Sequence, residues 1–342
     1  MSKTPSSLPS LADVAARANV STGTASHVLN RNHKARIAAA TRERVRQAAE
    51  ELGYRPNAFA RSLLGKKTKT VGLTMSTFEN PFFASVARAA WQRATEIGYH
   101  LLLDAQMASN DQFRDFARLA PWPVDGLLLW AEAVQDVDKL IGRPARGIPQ
   151  VYLGLTTDAE ADAVTFDFYA GMRLLLDHVH DKGYRKPAMV VSGHEGNIAA
   201  PGSRYRAYLR HCEEHRLEPT LIKLPTNQSD TVAAFQCGLG LAMMPPAQRP
   251  DVVLCYNDQT AIGVYNGVRR GGLRVPQNIA VTGFDGISEG QCLDLPLTTA
   301  VIPIDLACGS AIEMLVHRIE NGAGERHNRI ALPIRLTVGA TT

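Results

Sequence analysis

The sequence predicts an α/β protein in two parts: a small all-α module at the N-terminus, and a larger body of two lobes in which parallel sheets are flanked by helices. Three observations carry this. Between residues 10 and 52 apolar residues recur at helical spacing in three short runs. From Thr70 onward short apolar runs alternate with longer helical stretches, the pattern of parallel sheets covered on both faces. That second region is roughly 270 residues long, too much for one comfortable sheet, so two similar lobes with a ligand crevice at the strand carboxyl ends account for it better than a barrel does.

In the first run, Leu11, Val14, Ala15 and Ala18 form an i, i+3, i+4, i+7 stripe, with Ser10 placed to cap it. Asn19 tolerates the positive φ of a tight turn, and Ser21 is placed to cap a second helix, Thr22 to Leu29. There Ala25, Val28 and Leu29 face inward while Thr22, Gly23, Ser26 and His27 lie on other faces. Helix, tight turn, helix is a DNA-reading unit. A third helix is expected from about Ala39 to Leu52, with Val45, Ala48, Ala49 and Leu52 inward and Arg42, Arg44 and Arg46 around the other sides. Gly53-Tyr54-Arg55-Pro56 ends it. Asn57 to Gly65 is a helix-compatible run followed by the basic linker Lys66-Lys67-Thr68-Lys69, and so short a helix orders only when something holds it.

In the body, strands are expected at Val71–Ser76, His100–Ala105, Asp125–Trp130, Gln150–Leu155, Ala163–Phe166, Ala188–Ser192, Val252–Tyr256, Ile279–Phe284 and Thr299–Ile302. Helices are expected at about 82–97, 110–119, 169–182, 203–215, 229–242, 258–270 and 304–320.

Charge separates the parts. Residues 1–70 hold 13 Lys and Arg against 4 Asp and Glu, net +9, and the remaining 272 hold 24 against 29, net −5. A compact basic module on an acidic body points to a polyanionic partner, because Lys and Arg release counterions from phosphate backbones. With 45% hydrophobic and 20% charged residues among 342, disorder is excluded as the main state. No run of apolar residues reaches membrane-spanning length, and MSKTPSSLPS lacks the apolar core of a secretory signal, so a cytoplasmic protein is expected. Five cysteines with no Cys-x-x-Cys pair suggest neither a disulfide framework nor a zinc knuckle. There is no Walker loop, no G-x-G-x-x-G after a strand and no G-x-S-x-G, so the main nucleotide-binding and hydrolase signatures are absent. His211-Cys212-Glu213-Glu214-His215 fits H-x-x-E-H, but no third ligand or general base can be placed, so no metal is expected there; His178-Val179-His180 is a weaker signal still.

The run from Leu11 to Asn30, then Thr41-Arg42-Glu43-Arg44-Val45, Glu51 to Ala58 and Ala60-Arg61-Ser62-Leu63, resembles the headpiece and hinge of the lactose-repressor/galactose-repressor (LacI-type) family of bacterial transcription factors. Asn80-Pro81-Phe82-Phe83, Val124-Asp125-Gly126-Leu127, Asn257-Asp258, Gly272 to Pro276, Gly283-Phe284-Asp285 and Leu297-Thr298-Thr299 extend the resemblance in the family's order. It implies a helix-turn-helix headpiece (1–56), a hinge helix and linker (57–69) and a body (70–342) similar to periplasmic sugar-binding proteins. The chain would cross between lobes three times, with one lobe of about 70–183 and 303–322 and the other of about 184–296 and 323–342. It also implies a homodimer; no heptad helix follows Leu336-Thr337-Val338, so a tetramer is not expected.

By the same resemblance Thr22, Gly23 and His27 read bases, Ser21, Thr24, Ser26 and Asn30 lie near the DNA backbone, and Asn57, Ala60 and Leu63 belong to the minor-groove hinge, where Leu63 acts as the wedge. The family usually has Arg where His27 stands, so the operator preference is expected to differ. Phe82, Phe83, Asp167, Arg204, Asn257 and Asp285 are the implied effector-binding residues, with Asp104, Asp258 and Phe284 beside them. Phe168 and Ile302 stand where relatives often carry Asn and Gln, which removes hydrogen-bonding capacity from the crevice. The expected function is therefore a sequence-specific repressor, not an enzyme and without a cofactor, acting on a near-palindromic operator under control of a sugar or sugar-like metabolite. A sugar-binding protein of a transport system, or a sugar- or nucleotide-metabolising enzyme, are the alternatives from other classes.

Overall fold

The computed structural model describes residues 9–29, 36–54, 67–75, 77–105, 124–134, 148–156, 161–192, 202–225, 230–322 and 326–342. The helix expected at 110–119 and the hinge helix at 57–65 lie outside them. The chain divides into two compact units, Met1–Thr68 and Lys69–Thr342.

In the first unit, helices α1 (Leu11–Arg17), α2 (Thr22–Leu29) and α3 (Ala39–Glu51) enclose a small core. Val14, Ala15 and Ala18 meet Ala25 and Val28 from α2 and Val45, Ala48 and Ala49 from α3, all buried. Small residues at these contacts let three short helices approach closely enough to exclude water.

The second unit contains strands β1 (Thr70–Met75), β2 (His100–Ala105), β3 (Gly126–Val134), β4 (Gln150–Thr156), β5 (Ala163–Phe166), β6 (Pro187–Val191), β7 (Thr220–Lys223), β8 (Val252–Cys255), β9 (Ala280–Asp285), β10 (Thr298–Val301), β11 (Arg329–Leu332) and β12 (Arg335–Thr337). Its helices are α4 (Pro81–Glu96), α5 (Phe168–Asp181), α6 (Arg204–His215), α7 (Asp230–Met243), α8 (Asp258–Arg270), α9 (Ser288–Gln291) and α10 (Ile304–Asn321). They form two six-stranded sheets, ordered β11-β5-β4-β3-β1-β2 and β12-β10-β9-β8-β6-β7. Among the described residues every strand pair is parallel except β10 with β12. β6, β8 and β9 are buried at every position, as parallel strands covered on both faces require.

The two expected lobes are present, but two of their boundaries move. α5 packs on α6, β10 and β12 of the second sheet, so the first crossing falls at Asp167, directly after β5, and not near residue 183. β11 pairs with β5 of the first sheet, so residues 329–332 belong to the first lobe and the last crossing lies between Leu332 and Arg335. The strands β7, β11 and β12, which were not expected, are the outer strands of their sheets. Their residues are largely exposed, and their apolar stretches are short, at most the three residues Ile330 to Leu332 in β11.

α7 and α8 cross at glycine contacts. A Cβ on Gly267 would lie 2.1 Å from the Phe235 carbonyl oxygen and 2.9 Å from the Gly238 Cα, both backbone atoms that cannot rotate away. Gly267→Ala is expected to cost about 1–3 kcal/mol through overpacking. An unchanged melting temperature in calorimetry would refute that.

Candidate functional site

The headpiece surface is built by its caps. Ser10 Oγ accepts from the Asp13 amide at 3.3 Å, while the Asp13 carboxylate accepts from the Ser10 amide at 2.8 Å and its hydroxyl at 2.7 Å. These bonds hold the Asp13 carboxyl below its ordinary range and close a capping box at the start of α1. Asn19 adopts φ +51°, as the tight turn requires. Ser21 Oγ then accepts from the Thr24 amide at 3.1 Å and lies 2.9 Å from Thr24 Oγ1. Ser21 thus anchors the first turn of α2, and Thr24 is tied to it. With Ala25 and Val28 turned inward, Thr22, Gly23 and His27 are exposed and Ser26 is half-buried. Arg17 and Glu51 join α1 to α3 at 2.6 Å. Asn30, Asn57, Ala60 and Leu63 lie outside the described residues.

The second candidate site is a cleft at the carboxyl ends of the strands, lined by Asn80, Phe82, Phe83, Trp130, Phe168, Arg204, Tyr256, Asn257, Asp285 and Ile302. Its two sides differ in chemistry. The first lobe supplies an aromatic wall. Asn80 caps α4, its side-chain oxygen accepting from the Phe82 amide at 3.0 Å, and Pro81 opens the helix. Phe82 and Phe83 then meet Trp130, midway along β3, edge to face with ring centroids 5.2 and 5.4 Å away. Through Phe166 and Phe168 the series of rings continues to Phe284 on the second sheet.

The second lobe supplies the polar side. Arg204 opens α6, capped by Ser203, and its guanidinium lies 3.4 Å from the centroid of the Tyr256 ring, 4.7 Å from that of Phe284 and 5.0 Å from that of Phe168. It donates to the Tyr256 carbonyl at 3.0 Å and lies 3.9 Å from Asp285 Oδ1. Asn257 caps α8 by accepting from the Thr260 amide at 2.8 Å. Asp285 ends β9 with φ +117°, a conformation that costs a non-glycine residue about 1–3 kcal/mol and is characteristic of functional positions.

Of the expected effector residues, Phe82, Phe83, Arg204, Asn257 and Asp285 come together here. Asp167 does not: it is exposed and caps α5 by accepting from the Ala170 amide at 2.8 Å. Asp104 sits half-buried on β2, away from the cleft lining. Asp258 is fully buried behind the site and accepts from the amides of Gly286 and Ile287, both at 2.8 Å, and from the Thr299 hydroxyl at 2.6 Å. It fixes the turn that follows Asp285; burial pushes its pKa up to about 7 against these donors. Trp130 and Tyr256 were not identified from the sequence. Tyr256 directly follows β8, at the carboxyl end where a parallel sheet opens onto its crevice, whereas Trp130 lies within β3, where an aromatic residue also reads as core.

Residues 10–57 match the family of bacterial regulatory proteins described as the lacI family, and residues 176–342 match a periplasmic binding protein-like domain. The chain is 31% identical over 326 residues to the HTH-type transcriptional repressor PurR of Vibrio atlanticus, covering 93% of this chain and 94% of that protein. It is 29% identical to the ribose operon repressor of Escherichia coli, covering 97% and 100%. Among solved structures, the lac repressor dimer bound to operator and the anti-inducer ONPF superposes with a TM-score of 0.81 at 24% identity, over 98% of this chain and 99% of that one. A complex of the transcriptional regulator CelR with cellobiose superposes with a TM-score of 0.66 at 25% identity, over 98% and 100%.

Proposed function

The chain belongs to the lacI family of bacterial regulatory proteins, and from that premise we propose that it is a transcriptional repressor that binds a near-palindromic operator as a homodimer and responds to a small metabolite, a sugar or sugar-like molecule, in the inter-lobe cleft. It acts in the cytoplasm, on the nucleoid. The observation that carries this reading is the capped second helix of a helix-turn-helix unit presenting Thr22, Gly23 and His27 to solvent within a module of net charge +9. The positive charge supplies the sequence-independent part of the affinity, and the exposed side chains address base edges. Gly23 brings no side chain to a base, and the His27 imidazole offers a single donor where an arginine would offer a fork, so selectivity rests on few contacts.

In the cleft, the aromatic wall suits the apolar face of a ring, while Arg204, Asp285 and Asn257 suit its polar edge. The described lining leaves about 20 Å3 of free space in a cleft that stays partly open to solvent, about the room of one water. A metabolite ring is admitted only when the aromatic wall and the polar side separate, so its binding free energy is coupled to lobe geometry.

Selection from a pool of random duplexes tests the DNA reading. The full chain is expected to enrich a palindromic site, with binding that weakens steeply with salt, and a chain lacking residues 1–68 is expected to lose specific binding by about a thousandfold or more. No enriched site, or equal binding by the shortened chain, would sink the reading.

A further inference from the structure

The geometry points to a second ligand site on the second lobe: a three-histidine site for a divalent d-block cation such as zinc, formed by His180, His211 and His215. The sequence places His211 and His215 one turn apart on α6. The fold adds the third ligand, because His180 lies in the last turn of α5, which packs along α6. One ring nitrogen from each of the three lies within 4.8 Å of those of the other two, an arrangement unique among the described residues. The imidazoles are gathered tightly, with centroids 3.9 Å apart for His180 and His215 and 4.4 Å apart for His211 and His215.

Packing alone does not explain this cluster. His211 is 1% exposed, yet its Nδ1, like the buried Nδ1 of His180, has no hydrogen-bond partner among the described residues. Buried ring nitrogens are rarely left so in native proteins, and two in one cluster leave lone pairs or N–H groups that a ligand would satisfy.

The surrounding charges define the class of cation. Glu214 is held by Arg173 at 2.7 Å and by Arg210 at 2.9 Å, and Glu213 by Arg210 at 2.9 Å. These two carboxylates are therefore engaged, and the donor set is three imidazole nitrogens. Imidazole sets favour zinc, nickel, copper or cobalt, whereas magnesium and calcium require oxygen ligands. Tetrahedral geometry with metal–nitrogen bonds of about 2.0–2.1 Å brings nitrogens to about 3.4 Å from one another. The shift required falls to His215, which is exposed, turns without disturbing the core and leaves the fourth position to water. A bound cation would staple the last turns of α5 and α6, the helices whose first turns carry Phe168 and Arg204 to the cleft.

The test uses the full chain without a histidine tag. Cobalt(II) titration is expected to give visible d–d bands saturating at one ion per chain, displaced by zinc, and zinc but not magnesium is expected to raise the melting temperature. His215→Ala leaves the core intact, and His180→Gln keeps a polar side chain of similar size; each is expected to weaken cobalt binding by about tenfold or more. Cys292→Ser, which removes the exposed thiol, is expected to bind as the unaltered chain does. The assignment is overturned if the unaltered chain shows no d–d bands and no stabilisation by zinc, if the histidine variants bind equally well, or if Cys292→Ser abolishes binding.

Discussion

Replacing Arg318 by alanine is expected to destabilise the second unit by about 3–5 kcal/mol, which lowers its melting temperature by on the order of 10 °C. Arg318, in the last turn of α10, grips Asp162 with two parallel bonds, Nε to Oδ2 at 2.7 Å and Nη2 to Oδ1 at 2.9 Å. Both side chains are under 10% exposed. Asp162 Oδ1 also accepts from the Asn328 amide at 2.7 Å, and the Asn328 carbonyl accepts from the Ala163 amide at 2.9 Å. Arg318 further donates to the Arg326 carbonyl. One carboxylate thus holds the end of α10, the start of β5 and the approach to β11, where the chain returns to the first sheet. Truncating the arginine strands a buried charge, which is why removing one partner costs more than the pair contributes.

The double replacement Arg318→Met with Asp162→Leu is accordingly expected to recover most of the loss, leaving only the Asn328 amide and the Arg326 carbonyl without these partners. Denaturant melts of the two variants check the prediction, and a loss below about 1 kcal/mol for Arg318→Ala would contradict it. The same pair makes stability depend on acid. Burial by itself pushes the Asp162 pKa up, but Arg318 and the Asn328 amide outweigh it and hold the carboxyl below its ordinary value of 3.8. A carboxyl depressed in the folded state gives stability that is complete above its unfolded pKa and fades as pH falls through the folded one. Asp162→Asn is therefore expected to flatten the acid limb of the stability profile.

What could be read in advance follows from what each segment must bury. β5, β6 and β8 stand out as apolar runs because both faces of a parallel strand are covered, whereas β11 and β12, at the sheet margins, bury little and have no such signature. The crossing at Asp167 was misplaced for a different reason. β5 passes into α5 through a single residue, and nothing local distinguishes a helix that returns to its own sheet from one that begins the next. In the cleft, Phe82, Asn257 and Asp285 were identifiable through motifs in a known order, and Arg204 only as a position that the resemblance implied. Trp130 and Tyr256 were not, because an aromatic residue within or just after an apolar strand reads equally well as core. Asp167 shows the opposite limit: a capping carboxylate beside a cleft helix has the composition of a ligand contact and the geometry of a cap.

Arg204→Ala is expected to abolish the response to the cleft metabolite while leaving the headpiece's DNA contacts intact. Arg204 is 6% exposed, its guanidinium placed against Tyr256, Phe284 and Phe168, bonded to the Tyr256 carbonyl and within 3.9 Å of Asp285. All four partners belong to the second lobe or to the helix that starts it, so Arg204 is rigidly held there and offers its fork to whatever lies against the aromatic wall of the first lobe. Phe82, Phe83 and Trp130 can hold a ring face but cannot orient it, because they offer no strong donor or acceptor beyond the Trp130 indole N–H. Orientation therefore depends on Arg204, Asp285 and Asn257, and of these only Arg204 carries a permanent positive charge. A metabolite present at a hundredfold above its Kd stabilises the unaltered protein by about 2.7 kcal/mol. With Arg204→Ala, measured against that variant's own ligand-free melting temperature, the shift is expected to vanish at the same concentration. Arg204→Lys restores charge without the planar fork and is expected to recover only part of it. A full shift in Arg204→Ala would move the metabolite out of this cleft, and a full shift in Arg204→Lys alone would mean that charge, not the paired donors, does the recognition.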